Sequence, residues 1–439
     1  MKRFAVVLLL LAAAFALLQL ARPGIPSKPA TAEVQAPAEV RHVLEKGCYS
    51  CHSDEARLSW FDQVVPAYWL VRQDVLEARR HLNFSTLGAK PAAAQRGALF
   101  ESVNMIQLGA MPLPPFRKLH PEARITPEDL AVLKNYLAPW GVPPAPAQAV
   151  QAQAGAVRLD AVTAEANGLA FDPSFEGWKP IATTDRGDNN TFRIILGNDV
   201  AVRAIASGSL TPWPDGARMA KIAWLQERGA DGLVHPGGFV QVELMVKDHA
   251  RYKETEGWGW GRWRGLELKP YGRDAGFVEE CTGCHKPMRG DDYVYTQPMT
   301  AAAGAEVVNG HAAAMPASLP YQPLGWGAIT MYVDPGRRAT AMLYGDDAAM
   351  RAVRAHTGQY PAGAVLALVT WAQREDPHWF GARIPDAPLS VEFVQVAGAG
   401  RAGAYRRFGG AGLAEEHWGA NESEQRVRFV EDLAPARMP

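Results

Sequence analysis

The sequence predicts a multidomain α+β chain, in which an all-α N-terminal domain precedes two β-rich domains. Three observations carry this. Apolar residues recur at helical spacing between residues 40 and 137, with proline and capping signals at the segment ends. Between residues 217 and 247 the spacing changes to strict alternation, the mark of half-buried strands. Residues 321–439 then echo residues 168–302 at a nearly constant separation. A chain of 439 residues has room for roughly two to four domains, each with a core of its own.

Forty-five basic and 46 acidic residues leave a formal charge of −1, which gives no electrostatic case for nucleic acid or an anionic membrane surface. Met1-Lys2-Arg3 precedes an uncharged run of 18 residues from Phe4 to Ala21. Residues 1–23 read as a signal peptide or membrane anchor: the run is at the lower limit for spanning, and the best small-residue cleavage site, Ala30-Thr31-Ala32, lies well downstream. In either case the body is expected in the periplasm, in the second held to the cytoplasmic membrane. Residues 24–38 are a Pro/Ala/Lys-rich linker.

All four cysteines fall in two copies of one pattern, Cys48-Tyr49-Ser50-Cys51-His52 and Cys281-Thr282-Gly283-Cys284-His285. Two thiols two residues apart, followed at once by histidine, form the attachment pattern of a c-type haem. Cys48 with Cys51, and Cys281 with Cys284, would add across haem vinyl groups; His52 and His285 would be axial ligands of the two irons. A zinc site built from both pairs is the bland alternative. The pairs, however, lie far apart in the chain, and each has a histidine in the attachment position. A thioredoxin-like motif needs no such histidine, and a CxxC disulfide is strained. Two covalently attached haem c groups are therefore expected. Export agrees with this, because c-type attachment in bacteria takes place outside the cytoplasmic membrane.

The first haem domain is expected over residues 39–146. Val40, Val43 and Leu44 make a short apolar face running into Cys48, so the first motif hangs from a helix end. Pro66 can open a second helix carrying Trp69, Val71, Val75 and Leu76, and a third follows from about Gln95 to Gln107. Thr126-Pro127-Glu128-Asp129 is an N-terminal signature for a fourth, with Leu130, Leu133 and Leu137 on one face. Met111 lies 60 positions after Cys51 (111 − 51) in the proline-rich stretch Gly109 to Pro115. It can reach an iron opposite His52 and close its coordination, giving a His/Met haem suited to electron transfer. Met105 and His120 are the competitors, and His120 reads as a surface or capping residue. Cys48 to Ser53, Trp60, Pro66, Trp69, Asp74, Leu82-Asn83-Phe84-Ser85 and Met111-Pro112 together resemble the small haem-binding domain of bacterial exported proteins.

A linker over 147–167 leads to the second haem domain, 168–302. A strand at Ile194-Ile195-Leu196, a helix from Val200 to Ser207 capped by Asn198 or Asp199 and stopped at Gly208, and a turn at Trp213-Pro214-Asp215-Gly216 come first. Strands from about Ala217 to Gln226 and Gly238 to Lys247 follow; in the second, Val240, Val242, Leu244 and Val246 face the core, and Gln241, Glu243 and Met245 face away. A helix from about Asp274 delivers Cys281 and His285. Trp213-Pro214-Asp215-Gly216, Lys221, Val242-Glu243, Val246-Lys247-Asp248, Glu280 to His285 and Asp292-Tyr293-Val294-Tyr295-Thr296 stand in the order found in cytochrome P-460, which this stretch resembles. The resemblance implies that Lys221 bonds covalently to the haem, that Glu243 is a proton acceptor beside an open coordination position, and that hydroxylamine is oxidised there. A sister family, cytochrome c′-beta, shares the fold without the cross-link and binds nitric oxide or carbon monoxide. Without the resemblance, Lys221 and Glu243 read as a lysine at a sheet edge and a strand carboxylate on a solvated face.

Residues 303–439 hold no cysteine yet repeat the second domain. Gly325-Trp326 matches Gly177-Trp178 at a separation of 148 (325 − 177), and Leu343 to Asp347 matches Ile195 to Asp199 in the same way. Leu368 stands where Lys221 stands, Val391-Glu392 matches Val242-Glu243, and no CxxCH follows. A degenerate, haem-less P-460-like domain is expected, packed on its neighbour as two such modules pair in a dimer. The function implied is that of an exported dihaem cytochrome oxidising hydroxylamine or a related nitrogen species at an open haem on His285. Electrons would leave through the His52 haem to a partner such as a soluble cytochrome c. The alternative is a nitric oxide or carbon monoxide binding protein without turnover. A peroxidase is a lesser reading, since no distal His/Arg pair is recognisable.

Overall fold

The computed structural model describes residues 2–55, 57–138, 158–299, 313–398 and 403–439. Most of the linker expected over 147–167 and the start of the third domain lie outside the described residues. The chain divides into two compact units, Met1–Trp140 and Gly141–Pro439.

The N-terminal unit is helical. It opens with α1 (Lys2–Leu18), whose apolar side chains are exposed; among the described residues no helix is long and apolar enough to cross a membrane. Then α2 (Ala38–Gly47) buries Val40, Val43 and Leu44, as its periodicity requires, and passes directly into α3 (Tyr49–His52), which carries the first haem motif. Next is α4 (Ala67–His81), which starts after Pro66 but turns Tyr68 and Val75 inward and leaves Trp69 exposed. The Trp69 indole instead donates to the Ala21 carbonyl at 2.8 Å. After α5 (Phe84–Leu87), α6 (Ala92–Gln107) begins three residues earlier than its apolar pattern suggests, directly after Pro91. The short α7 (Pro114–Leu119) precedes α8 (Pro127–Leu137), where Thr126 and Asp129 form a reciprocal capping box. The Asp129 carboxylate also takes the Lys46 ammonium at 2.6 Å, tying α8 to α2.

The second unit is built on one sheet. Its first half runs β1 (Lys179–Arg186), β2 (Thr191–Gly197), α9 (Asp199–Ser207), β3 (Arg218–Arg228), β4 (Val234–Lys247), β5 (Trp258–Arg264) and β6 (Lys269–Pro270), then α10 (Val278–His285). Asn198 caps α9 through the Ala201 amide, and Gly208 ends it in the left-handed region, as expected. Its second half runs β7 (Gly327–Asp334), β8 (Ala339–Gly345), α11 (Asp347–Arg354), β9 (Val365–Glu375), β10 (Ala382–Gln395), β11 (Ala404–Gly409), β12 (Ala414–Glu416) and α12 (Ala420–Asp432).

The order ββαββ therefore occurs twice, and the registers coincide. Ile195 pairs with Lys221 and Lys221 with Glu243; in the second half Leu343 pairs with Leu368 and Leu368 with Glu392. Strands on either side of the boundary expected near residue 302 share one sheet. Val234 of β4 pairs with Val333 of β7, and Arg186 of β1 pairs with Ala382 of β10, so the eight long strands close into a ring.

Inside the ring, Phe192, Ile222, Trp224, Val242 and Leu244 of the first half pack with Met331, Met342, Tyr344, Trp371 and Phe393 of the second. The opposite face of each half has its own apolar layer, around Ile195, Met219, Trp258 and Trp260 in one and Leu343, Leu366, Leu368 and Val430 in the other. Because the inner core is common property, Phe192→Ala should destabilise the whole second unit by about 3–5 kcal/mol. Urea unfolding followed by tryptophan fluorescence should show one earlier transition for this unit, not the loss of its first half alone.

Candidate haem sites

In the N-terminal unit His52 ends α3, and its Nδ1 lies 2.9 Å from the Leu82 carbonyl oxygen. A carbonyl can only accept, so Nδ1 carries the proton and Nε2 keeps its lone pair, the tautomer a metal ligand needs. The Leu82-Asn83-Phe84-Ser85 motif thereby acquires a physical role. Phe84 stacks on Tyr49 at 5.4 Å and meets the His52 ring edge-on at 6.4 Å. Asn83 and Ser85 hold Asp54 just beyond the histidine, at 2.8 and 2.9 Å.

Met111 sits in the turn between α6 and α7, its amide donating to the Met105 carbonyl at 3.0 Å. His120 is buried, not on the surface as its place before Pro121 suggests. Both its ring nitrogens face carboxylates, Asp62 at 3.0 Å and Glu122 at 3.1 Å, and Phe61 and Phe116 stack on it. The apolar stack and the paired carboxylates commit His120 to the fold.

The second motif repeats the tautomer. His285 ends α10, and its Nδ1 lies 2.7 Å from the Tyr293 carbonyl oxygen. Trp260 lies against the imidazole at 4.6 Å, and Tyr295 meets it edge-on at 5.1 Å while its hydroxyl donates to the Cys284 carbonyl. Burial pushes the imidazole down to about 4, opposed by the Tyr293 carbonyl and assisted by the Lys221 charge. All four cysteines are free, and among the described residues no group of three or more His, Cys, Asp and Glu side chains is placed to hold a metal ion. Burial raises Cys48 and Cys281 to about 12 and Cys51 to about 11. A redox-active CxxC requires the opposite shift.

Beside α10 the sheet presents an unusual face. Cross-strand pairing sets Lys221 of β3 opposite Glu243 of β4, and Glu243 opposite Arg262 of β5. The Lys221 ammonium is ion-paired with Glu243, whose other oxygen meets Arg262 at 3.0 Å; Arg262 reaches on to Glu280 of α10 at 3.2 Å. Burial alone would raise the Glu243 carboxyl, but Lys221 and Arg262 outweigh it and hold the group at about 2. Burial drives Lys221 down to about 8 even against the attraction of Glu243. Glu243 is thus not the solvated strand carboxylate that alternation alone would suggest.

Sequence reasoning missed Arg193, Trp260 and Arg262. Arg193, on β2, points to the same face, and its Nε is buried without a hydrogen-bond partner among the described residues. A guanidinium with a buried, unsatisfied Nε, near the charges of Lys221, Glu243 and Asp188, fits an anionic group such as a haem with its carboxylate side chains. Arg79 is the counterpart in the N-terminal unit: Nε and one terminal nitrogen are buried without a hydrogen-bond partner among the described residues, the other terminal nitrogen donates to the Pro26 carbonyl, and its charge is felt by Cys51. The signal in sequence was alternation: Arg193 and Ile195, like Trp260 and Arg262, lie two apart on strands.

The second half keeps the carboxylate of this row and changes its partners. Leu368 replaces Lys221, and Glu392, fully buried, is held by Arg426 at 2.8 Å, by Arg407 at 3.2 Å and by the Tyr405 hydroxyl at 2.7 Å. Helix α12 packs Val430 onto Leu366 and Leu368, over the face that in the first half lies beside α10.

The charge cluster makes a pH-dependent prediction. A carboxyl lowered on folding stabilises the protein above its unfolded pKa and loses that contribution as pH falls toward its folded value. Glu243→Gln should therefore cost about 3–5 kcal/mol at neutral pH, the penalty for stranding buried cations. In urea denaturation across a pH series, the gap to wild type should shrink between about 4.5 and about 2.

No curated protein matches the chain. Family models match two stretches: residues 7–139 match a haem-binding domain, and residues 173–296 match cytochrome P460. Each stretch contains one of the two CxxCH motifs together with the carbonyl that orients its histidine, and so the chain carries a haem-binding domain followed by a cytochrome P460 domain.

Proposed function

We propose that this chain is an exported dihaem c-type cytochrome that oxidises hydroxylamine or a related small nitrogen species at the His285 site. Export rests on the charged N-terminus and exposed apolar helix α1 and on the chemistry of c-type attachment. The observation that carries the reading is the Lys221–Glu243–Arg262 row beside His285, because the fold repeats in the second half without the lysine and without a haem motif.

Cys281 and Cys284 would anchor the haem and His285 would ligate it; when bound, it supplies one-electron chemistry and an open position for a small ligand. Glu243 is the acceptor for protons that leave the substrate, oriented by Arg262 and by Gln241, whose amide donates to it. A carboxylate held at about 2 is too weak a base for that work at neutral pH. The attraction holding it there comes first from the Lys221 ammonium. Were the Lys221 nitrogen bonded to a haem and uncharged, that attraction would be absent and burial would raise Glu243, with Arg262 still drawing it down. The cross-link and the base are in this way one device. His52 and Met111 would close the coordination of the first haem, from which a soluble cytochrome c would take electrons.

The ion pair also favours a second reading. With Lys221 held as an ammonium by Glu243, the site is that of a cytochrome c′-beta-like protein binding nitric oxide or carbon monoxide without turnover. The ferrous absorption spectrum separates the two, since only a cross-linked haem gives the red-shifted Soret band for which the P-460 family is named. Lys221→Ala should abolish that band and hydroxylamine turnover while leaving haem on Cys281 and Cys284 by mass spectrometry. An unchanged spectrum and rate would sink the enzymatic reading. Met111→Ala should turn the first haem from low spin to a form that binds added ligands, read by electron paramagnetic resonance.

A further inference from the structure

Several residues of the P-460-like pattern lie outside the charged row of Lys221, Glu243 and Arg262: Trp213, Lys247 and Asp292. They meet at one point. The Asp292 carboxylate accepts from the Lys247 ammonium at 2.8 Å through one oxygen and from the Trp213 amide at 2.8 Å through the other. Its main-chain carbonyl accepts from the Trp258 indole at 2.9 Å. The Lys247 side chain is wholly buried at the end of β4, with the Trp258 ring 4.8 Å away and the Glu256 carbonyl at 3.4 Å.

Asp292 and its neighbour Tyr293 both have positive φ, 49° and 67°, a conformation that side-chain-bearing residues avoid unless their surroundings impose it. Here the surroundings are three hydrogen bonds on Asp292. The forced corner presents the Tyr293 carbonyl to His285 Nδ1 at 2.7 Å. Along this face of the sheet the pairs Glu243–Arg262, Met245–Trp260 and Lys247–Trp258 follow in register, so Trp260, against the imidazole, lies between the two charged groups.

Resting on the reading of His285 as a haem ligand, we infer that Lys247 and Asp292 are positioning residues. They lock the Asp292–Tyr293 corner so that its carbonyl holds the Nδ1 proton of His285, and through that bond they set how strongly the imidazole donates to iron. A firm acceptor at Nδ1 makes the ligand more basic and favours the ferric state. A slack corner weakens donation.

The test uses the full-length, haem-loaded protein. In Lys247→Met the iron–histidine stretching band of the ferrous haem, read by resonance Raman, should move to lower frequency. The reduction potential of that haem should rise, with the potential of the His52 haem unchanged as an internal control. A haem-loaded Lys247→Met protein with the wild-type band and potential would overturn the inference, because a pair that merely staples the fold leaves both where they were. If that variant does not accumulate, Asp292→Asn takes its place: the same two shifts are expected, and a wild-type band and potential there overturn the inference equally. Asparagine tolerates the left-handed corner, and it removes the charge together with one of the two acceptors, since its NH2 cannot take the Lys247 or Trp213 hydrogen bond. Absence of haem on Cys281 and Cys284 of the wild-type protein, seen by mass spectrometry, would instead overturn the reading of the site.

Discussion

Closure of the sheet is the constraint on which the second unit depends. Open sheets leave edge strands with unsatisfied backbone groups, and closure removes them. Here the ring closes at two equivalent places, β4 against β7 and β10 against β1, and each half supplies one side of each junction. Neither half can complete its inner core alone, since Trp224 and Val242 need Tyr344 and Trp371 across the ring. The half without a CxxCH motif is therefore required by the fold itself. Its β9–β10 hairpin also crosses to the haem side: Asp376 takes the Gln297 amide at 3.2 Å, and Trp379 packs edge-on against Tyr295 at 5.5 Å.

Equivalent positions in the two halves show what a site demands beyond the fold. Glu243 and Glu392 occupy the same register, and both are carboxylates that burial would penalise. Glu392 is satisfied from every side by Arg407, Arg426 and Tyr405, and α12 closes over it. Arg407 also meets Glu416 at 2.8 Å, so two carboxylates balance the two arginines there. Around Glu243 the cations outnumber the carboxylate, Arg193 keeps an unsatisfied nitrogen, and the short helix α10 ends in Cys284 and His285. One half has spent its polar groups on itself; the other retains capacity for an anionic partner.

Much of this was legible in the sequence, and the failures have a common cause. Local rules placed α8 through Thr126 and Asp129, α9 through Asn198 and Gly208, and the two faces of β4 through alternation. The repeat aligned Leu368 with Lys221 and Glu392 with Glu243, and the pairing of Leu368 with Glu392 matches that of Lys221 with Glu243. What escaped was everything set by contacts distant in sequence. His120 looked exposed because its partner, Asp62, is 58 residues away. Arg193 looked like an ordinary strand arginine because the charges it faces come from other strands. Closure of the ring has no local signature, being a property of strand ends that meet only after both halves have folded.

The two histidines show how far identical motifs diverge once they are placed. Both have the same tautomer, imposed by a carbonyl at Nδ1, which leaves the Nε2 lone pair available to a metal at either site. The carbonyls are held differently. Leu82 offers its oxygen from the residue that ends α4, in extended backbone of ordinary φ, with Phe84 packed close by. Tyr293 offers its oxygen from a left-handed corner that three hydrogen bonds impose, inside a sheet face bearing buried charges of both signs. A strained corner can move when its supports change, whereas a relaxed strand has no nearby state to move to. In the proposed dihaem protein, tuning through the axial histidine's own hydrogen bond would therefore belong to His285, and the unstrained setting of His52 would suit a haem of constant properties.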